Sequence, residues 1–352
     1  MDCLTIRHPT NPLEVLIMKR MLLVMAVLML GLSLAFAQGG KEASAQAESV
    51  TLTVYSPGNV NSVPTKTILK YKELVEAASN GTIKMVAHHS GELGNDAEAL
   101  QSTRMGTIDV IFAGTSGFTS FYDKAKILDL PFLFDSAQEA YEIVNSAIGE
   151  QIFADLPKAG LVYLSEGDNG MRHVATTNRP VKNVDDVKGL KIRVPTSKMY
   201  LDVWGALGST PVALALNELA IALANGTAEA QDNATYHLVA NATYDDIKHY
   251  SFINYMWMGC TMAMNQKSWD KLTADQQKIL KEQAIAAAKY SFDTIEEDNV
   301  TATETLKKAG VQFIENPDIQ SFKNKLGGSA YYKQYASEAW YDQKIVDAIL
   351  AK

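Results

Sequence analysis

The chain has 352 residues, a formal net charge of −8 and 47% hydrophobic residues. This length is sufficient for two domains that each have a hydrophobic core. The acidic balance argues against nucleic acid or an anionic membrane surface as a partner. An anion would therefore have to bind to this protein at a local, shaped site.

The segment 1–37 has the pattern of a secretory signal peptide. Lys19 and Arg20 precede an apolar run, 21–36, and the sequence AFA that ends at Ala37 fits the small-x-small cleavage rule. We therefore expect cleavage near Ala37 and export of the chain. A single transmembrane anchor is the alternative, although the run is short for a membrane span.

Removal of this leader would leave Cys260 as the one cysteine, so no internal disulfide is expected. The residues before Met18 do not resemble the start of a signal peptide, and translation from Met18 is an alternative start. The segment 38–49 is rich in small and polar residues, which predicts a disordered tail.

Alternation and helical periodicity predict a first α/β unit after this tail. Its strands cover 50–55, 82–87 and 108–113, and its helices cover 65–79 and 96–105. A βαβαβ order implies parallel strands that are covered by helices. The pattern repeats with strands at 190–194, 210–214 and 227–231 and helices at 198–207 and 218–225. The sequence therefore predicts two α/β units.

A long helix is predicted after Thr273, which forms a capping-box pattern with Gln276. No proline or glycine interrupts the sequence from there to Lys308, and apolar residues recur at helical spacing. About 36 residues at ~1.5 Å each give a length of ~54 Å, which exceeds a single domain. We expect this helix to span both units.

Arginine is rare after the leader, with four arginines against 25 lysines, and three of the four lie within 22 residues. These three are Arg172, Arg179 and Arg193. A guanidinium group can grip a carboxylate or phosphate through two parallel hydrogen bonds, which an ammonium group cannot do. The cluster predicts an anion site, and ordinary surface charges are the alternative.

Arg193 is the member of the cluster that is placed where open α/β sheets bind ligands. It is near the end of the strand 190–194, two residues before Pro195, which ends the strand. Such sheets bind ligands in the crevice beyond the carboxyl ends of their strands. Asn233 stands in the same relation to the strand 227–231 and is expected to offer an amide to the same ligand.

Arg172 and Asn169 lie at the junction between the two predicted units. Small-molecule sites concentrate in clefts between lobes, so both residues are candidates for the same site. Arg179 directly precedes Pro180 in a predicted turn, and we expect it to be a solvated charge.

The chain lacks several common sequence motifs of enzymes. It has no G-x-S-x-G, no P-loop and no G-x-G-x-x-G after a strand. His88 and His89 are adjacent and would point to opposite faces of a strand, which makes them a poor metal pair. We therefore expect neither an enzyme nor a bound metal or cofactor.

The region from Asn169 to Asn233 resembles the substrate-binding subunit of tripartite ATP-independent periplasmic (TRAP) transporters. The likeness rests on a junction N-G-x-R, a D-x-K-G-L-K-x-R-V-P block and a Q-E-N-P-like stretch. They correspond here to Asn169-Gly170-Met171-Arg172, to DVKGLKIRVP at 186–195 and to Gln231-Asp232-Asn233. Weaker matches at 91–94 and 104–109 extend it to most of the mature chain.

The resemblance implies an α/β fold with two lobes, each a helix-flanked sheet, and one long helix that spans both. It implies that Arg193 pairs with a substrate carboxylate, that Arg172 gives a second contact and that Asn233 gives a hydrogen bond. The expected lobes are 50–169 with about 264–303, and 170–263 with about 304–352.

The chain departs from the family pattern at three places. Ala220 stands where an aromatic residue is usual, and Ala234 stands where proline is usual. The segment 114–116 replaces a glutamate of the members that bind sialic acid, which argues against that ligand.

Four further side chains are predicted to contact the ligand: Trp257, Tyr236, Asp96 and Asn59. Core packing explains Trp257 and Tyr236 equally well. Asp96 and Asn59, with Asp232, would suit a hydroxylated acid.

The function that the resemblance implies is a periplasmic protein that captures an organic acid and delivers it to the permease subunits of a TRAP transporter. A ligand-sensing module that reports to a receptor is the alternative. A sugar acid and a small mono- or dicarboxylate all fit the sequence.

Overall fold

The computed structural model describes residues 49–351. The predicted signal peptide, 1–37, and all but the last residue of the predicted tail lie outside the described residues. Within residues 49–351, no helix is both long and apolar enough to cross a membrane.

One mixed sheet organises the described chain. In spatial order its strands run β2-β1-β3-β8-β4-β7-β5-β6, and β9 pairs with β8. The strands are β1 (Val50–Tyr55), β2 (Ile83–His88), β3 (Val110–Gly114), β4 (Leu161–Thr176), β5 (Lys191–Val194), β6 (Thr210–Ala213), β7 (Ala230–Asn233), β8 (His249–Asn265) and β9 (Gln312–Ile314).

Helices cover both faces of this sheet. They are α1 (Val63–Ala78), α2 (Asp96–Met105), α3 (Thr115–Phe118), α4 (Ala137–Val144), α5 (Ala147–Phe153), α6 (Lys198–Ala206), α7 (Leu219–Ala224), α8 (Thr235–Ala240), α9 (Gln266–Trp269), α10 (Ala274–Lys308), α11 (Ile319–Leu326), α12 (Gly328–Tyr332) and α13 (Gln343–Leu350).

Two groups of parallel strands form as the sequence predicts. β1 pairs in parallel with β2 and β3, and β5 pairs in parallel with β6 and β7. We call β1, β2 and β3 the first strand group and β5, β6 and β7 the second strand group. The third strand of the second group is displaced from its predicted position, since it covers Ala230–Asn233. Asn233 is therefore the last residue of a strand, whereas the sequence placed it beyond one.

The two strand groups are joined through β4 and β8, which the sequence analysis did not predict. These antiparallel strands are 16 and 17 residues long. β3 pairs with the segment of β8 from Cys260 to Met264, whereas β7 pairs with the end of β4 from His173 to Thr176. The two groups thus attach to opposite ends of one long β-ribbon.

The register of the pairing between β4 and β8 shifts near the middle of the ribbon. One shift lies between Asp168 and Met171, and a second lies between Arg172 and Val174. Gly170 sits within the first shift with a φ of 94°, in the left-handed region that glycine tolerates. The junction that the sequence placed at Asn169 is therefore an interruption within a continuous strand.

Helix α10 has the predicted capping box and is 35 residues long. The Thr273 hydroxyl accepts a hydrogen bond from the Gln276 backbone N–H, and Gln276 Oε1 accepts one from the Thr273 N–H. Leu280 packs among core residues of the first strand group. Leu306, seven turns later, packs with Leu219 of α7 in the core beside the second group. The prediction of a helix along both halves is confirmed.

The C-terminal segment contacts both halves of the molecule. Tyr332 of α12 donates a hydrogen bond to the Pro131 carbonyl oxygen at 2.6 Å, and α13 packs on α5. Helix α11 packs on α6, which follows β5. The assignment of this segment to the second lobe alone stays a prediction.

Replacement of Gly170 by alanine is expected to destabilise the fold more than the same change at Gly189. Both glycines have a positive φ, but a Cβ at Gly170 would lie 2.7 Å from Ala234 Cβ, whereas a Cβ at Gly189 would meet nothing within 4 Å. Left-handed strain costs about 1–2 kcal/mol at each site, and the collision adds about 1–3 kcal/mol at Gly170. Urea unfolding measures the difference, and equal losses in the two variants would contradict it.

Candidate functional site

Arg193 is buried without an acidic partner. Arg193 lies in β5 and is only 4% exposed. Nε donates a hydrogen bond to the Leu214 carbonyl oxygen at 3.0 Å. Among residues 49–351, no Asp or Glu oxygen lies within 4.0 Å of its nitrogen atoms. Burial, followed by the positive charge of Arg172, lowers the pKa of Arg193 to about 10. The guanidinium group is a desolvated cation that needs an anion.

Arg172 differs from Arg193 because its charge is already paired. Its Nε lies 2.6 Å from Asp232 Oδ2, and its Nη2 donates to the Asp232 carbonyl oxygen at 2.5 Å. Its Cζ atom lies 4.8 Å from the centroid of the Tyr200 ring. Burial acts to lower the pKa of Arg172, but Asp232 and Tyr200 raise it well above its usual value. The predicted second ligand contact of Arg172 stays a prediction.

Asn233 reaches the same edge of the sheet as Arg193. β5 and β7 are neighbours, and Arg193 is in register with Gln231, two residues before Asn233. Asn233 is buried, and its Nδ2 has one long hydrogen bond, of 3.5 Å, to Gln231 Oε1. The predicted hydrogen bond from Asn233 to a ligand stays a prediction.

Asn169 is the centre of a buried polar cluster in the interrupted part of β4. Its Oδ1 accepts a hydrogen bond from the Tyr236 hydroxyl and lies 3.0 Å from His237 Nε2. Burial, and then the charges of Arg172 and Arg193, lower the pKa of His237 to about 3, so this ring is neutral. Of the three residues in this cluster, His237 is the one on which the charges of both arginines act.

Asn59, in the loop after β1, has a structural role that the sequence did not reveal. Its Nδ2 donates to the Ala240 carbonyl oxygen at 2.7 Å and to Asn241 Oδ1 at 3.0 Å. Asn241 in turn donates to the His237 carbonyl oxygen at 2.9 Å. The amide thus links the loop after β1 to α8, and a ligand contact through this amide would require these hydrogen bonds to break.

Trp257 has a core position, which supports the core-packing alternative. The residue is 1% exposed, and its Nε1 donates to Asp168 Oδ1 at 2.7 Å. Its ring meets the edge of Phe134 with centroids 5.7 Å apart. The indole therefore holds Asp168 in place, and its predicted contact with a ligand stays a prediction.

Asp96 is the first residue of α2, and its side chain is exposed. Burial by the surrounding protein raises the pKa of Asp96, and the positive charge of Arg193 acts against this shift. No contact between Asp96 and Arg193 is found among residues 49–351, and the predicted ligand contact of Asp96 stays a prediction.

Three buried acids near these residues were missed by the sequence analysis: Asp129, Glu166 and Asp168. Burial raises the pKa of Asp129 to about 7, of Glu166 to about 8 and of Asp168 to about 6. The Tyr200 hydroxyl donates to Asp129 at 3.4 Å, and the Thr115 hydroxyl donates to Glu166. The sequence feature that could have revealed these acids is a single acidic residue within an apolar run, as in ILDLPFLF at 127–134.

Within the described part of the chain, no group of three or more His, Cys, Asp or Glu side chains is placed to hold a metal ion. The side chains that surround Arg193 and Arg172 are carboxyl, amide and phenol groups. The guanidinium groups can bind an anionic ligand, and the carboxyl, amide and phenol groups can accept hydrogen bonds from its hydroxyl groups.

Replacement of Asp232 by asparagine is expected to lower the free energy of unfolding by about 3–5 kcal/mol, because it leaves the Arg172 charge buried and unpaired. The matched control is Asp202→Asn, which removes the partly exposed partner of Lys198, at 2.6 Å. Such surface pairs contribute about 0–1 kcal/mol. Chemical unfolding of both variants is the measurement, and a loss below 1 kcal/mol in Asp232→Asn would contradict the buried ion pair.

Glu166 is expected to make the fold less stable as the pH rises. Its folded pKa of about 8 exceeds its usual value of 4.5, so the native carboxyl keeps a proton that the unfolded chain releases between these values. Each such proton changes the free energy of unfolding by about 1.4 kcal/mol per pH unit. Glu166→Gln should therefore gain stability relative to the wild type from pH 5 to pH 8.

Unfolding curves at a series of pH values between these limits test this expectation. Glu73→Gln, at a largely exposed position on α1, is the control and should follow the wild type. A constant difference between Glu166→Gln and the wild type across the series would show that the Glu166 carboxyl does not hold its proton.

Comparison with known proteins places the chain in a family. The profile of the bacterial extracellular solute-binding proteins, family 7, matches residues 57–338. The chain is 28% identical over 259 residues to the 2,3-diketo-L-gulonate-binding periplasmic protein YiaO of Escherichia coli, covering 73% of this chain and 79% of that protein. It is 25% identical over 242 residues to the C4-dicarboxylate-binding periplasmic protein DctP of Rhodobacter capsulatus, covering 68% and 72%.

Solved structures agree with this relationship. A TRAP periplasmic solute-binding protein from a Polaromonas species, bound to D-erythronate, superposes with a TM-score of 0.81 and 26% identity, over 86% of this chain and 99% of that one. The predicted resemblance and the predicted two-lobe α/β fold are thereby confirmed. The chain belongs to the bacterial extracellular solute-binding proteins of family 7, the family of the TRAP periplasmic binding subunits.

Proposed function

We propose that this protein captures an organic acid by its carboxylate at Arg193 and delivers it to the permease subunits of a TRAP transporter. The observation that carries the proposal is the buried Arg193 guanidinium group, which has no acidic partner among the described residues. A ligand carboxylate would supply the missing negative charge. Because Nε is already bonded to Leu214, the two Nη groups are the donors for the ligand.

The neighbourhood of Arg193 supports an acid that also carries polar groups. Asn233 has a buried amide with one long hydrogen bond at the same edge of the sheet. The ligands of related proteins agree with this chemistry. D-erythronate is bound to the Polaromonas protein, and 2,3-diketo-L-gulonate gives its name to the E. coli protein.

We propose binding without catalysis, and export to the periplasm after cleavage near Ala37. The relatives named above are binding proteins, which supports the first point. The periplasmic relatives and the signal-peptide pattern of the sequence support the second.

A thermal-shift screen of organic acids identifies the ligand with which the proposal is tested. D-erythronate, D-gluconate, D-glucuronate, pantoate and succinate cover the chemical range of interest. An acid present at about 100 times its Kd stabilises the protein by about 2.7 kcal/mol, which gives a clear rise in Tm.

Arg193→Lys and Arg193→Ala are both expected to bind the best acid of this screen at least tenfold more weakly than the wild type. Charge-assisted hydrogen bonds contribute about 1.5–3 kcal/mol each, and lysine cannot reproduce the fork of two parallel donors. Isothermal titration calorimetry measures the affinity, and far-ultraviolet circular dichroism checks that the variants fold.

Arg179→Lys is the matched control, because Arg179 is only half-buried and its Nη2 has one long hydrogen bond, of 3.5 Å, to the Lys188 carbonyl oxygen. This variant should bind like the wild type. Unchanged affinity in both Arg193 variants would refute the carboxylate clamp.

A further inference from the structure

We propose that Asn59 is a latch residue, whose two hydrogen bonds to the end of α8 hold the ligand site closed. Asn59 thereby raises the affinity for a ligand that it does not touch. The proposal rests on the proposed function, because it takes the surroundings of Arg193 as the place where an acid binds. It goes beyond that function by assigning the retention of the ligand to a residue outside the anion site.

The candidate site is shut off from solvent in this structure. Arg193 and the three candidate residues nearest to it in the fold, Arg172, Asn169 and Asn233, are all buried. A molecule of the size of an organic acid therefore cannot reach the Arg193 guanidinium group unless parts of the protein move apart. Hydrogen bonds that join the two strand groups outside the ribbon are the contacts that can break in such a movement and form again around a ligand.

Asn59 makes a contact of this kind. It lies in the loop after β1, in the first strand group, whereas α8 directly follows β7 of the second group. Its Nδ2 donates to the Ala240 carbonyl oxygen at 2.7 Å and to Asn241 Oδ1 at 3.0 Å. Val63, at the start of α1, belongs to the same apolar core cluster as Tyr236 of α8. Polar and apolar contacts thus join the two groups side by side.

The amide group of Asn59 is fully used by this contact. An asparagine amide has two N–H donors, and both bind to the end of α8. Its Oδ1 accepts a hydrogen bond from the Asn61 backbone N–H at 2.9 Å, and its carbonyl oxygen accepts one from the Ser62 hydroxyl at 2.8 Å. These two bonds lie within the loop, so they keep the amide in the same orientation when α8 moves away.

Helix α8 is also tied to the ligand site. It begins two residues after Asn233, the last residue of β7. At its other end, Asn241 Nδ2 donates to the His237 carbonyl oxygen at 2.9 Å and lies 3.2 Å from His237 Nδ1, and His237 Nε2 lies 3.0 Å from Asn169 Oδ1. Because Asn241 Nδ2 can only donate, the neutral His237 ring accepts at Nδ1 and donates from Nε2. Hydrogen bonds therefore run in one direction from Asn59 to Asn169, and such chains reinforce each member.

The hydrogen bonds of Asn59 suit a contact that forms and breaks repeatedly. Asn59, Ala240 and Asn241 are all half-buried. Water can therefore replace these bonds when the site opens, and no charged group has to change its surroundings. The net stabilisation by such hydrogen bonds is modest. It is sufficient to slow the release of a ligand without preventing it.

Asn59→Ala removes both donors, and its affinity for acids is expected to be about tenfold lower than that of the wild type. The probes are D-erythronate, D-gluconate, D-glucuronate, pantoate and succinate, and calorimetry measures each one that binds the wild type. Because the latch does not contact the ligand, the loss should agree within about twofold from acid to acid. Stopped-flow fluorescence should show a faster dissociation rate, since the latch forms after the ligand has entered.

Asn59→Asp is the isosteric variant. It keeps the oxygen that accepts from Asn61 but has no donor for α8, so its affinity should fall at least as far as that of Asn59→Ala. Asn61→Ala is the matched control in the same loop, because Asn61 is exposed and its backbone N–H is retained. The control should bind like the wild type. Far-ultraviolet circular dichroism checks that each variant folds.

A double-mutant cycle connects Asn59 with its partner on α8. Asn241→Ala removes one of the two acceptors and should also weaken binding. The double variant, Asn59→Ala with Asn241→Ala, should lose less affinity than the product of the two single losses, because the two side chains share a hydrogen bond.

Three results would each overturn the latch while leaving the proposed function intact. The first is unchanged affinity in a folded Asn59→Ala variant. The second is a loss that differs from one acid to another, which would indicate direct contact between Asn59 and the ligand. The third is a double variant whose loss equals the product of the single losses. A wild-type protein that binds none of the acids would instead overturn the carboxylate-binding function, and the latch with it.

Discussion

The pairing of β4 with β8 is the constraint on which the rest of the structure depends. Within the sheet of residues 49–351, the two strand groups connect through this ribbon, because β3 hydrogen-bonds to β8 and β7 hydrogen-bonds to β4. Two of the candidate site residues also lie in the ribbon. Asn169 and Arg172 lie at its register shifts, and a regular ladder there would direct these side chains differently. The interruption of β4 and the polar cluster around Asn169 therefore occur at the same place in the structure.

The two buried arginines differ in their charge pairing because their surroundings differ. Arg172 has an acid against its guanidinium group and is part of the scaffold, together with Asp232 and the aromatic ring of Tyr200. Arg193 has only a carbonyl oxygen against its Nε. The charge of Arg172 is neutralised within the protein, whereas that of Arg193 is not. The family resemblance implies a ligand contact for both arginines, and the difference between them comes from the contacts in this structure alone.

Patterns in the sequence predicted those features of the fold that depend on residues close to one another in the chain. Alternation placed Arg193 at a strand end, and the capping box of Thr273 gave the start of α10. The ribbon was not predictable in the same way, because β4 contains two glycines and two acidic residues, Glu166 and Asp168, in a fully buried stretch. Groups that are distant in the sequence donate hydrogen bonds to both acids: Trp257 to Asp168 and Thr115 to Glu166. The role of Asn59 was hidden for the same reason, since its partner Asn241 is 182 positions away.

Three continuous elements, β4, β8 and α10, run from one strand group to the other, and this has a mechanical consequence. Any change in the angle between the groups must bend these elements, and β4 and β8 must bend together because they are hydrogen-bonded to each other along the ribbon. A hinge-type change of angle is the movement that such connections favour. Gly170 marks the place where the ladder of β4 is already interrupted. Helix α10 has no proline or glycine at which it would kink sharply, so it would share such a movement as a gentle bend along its length.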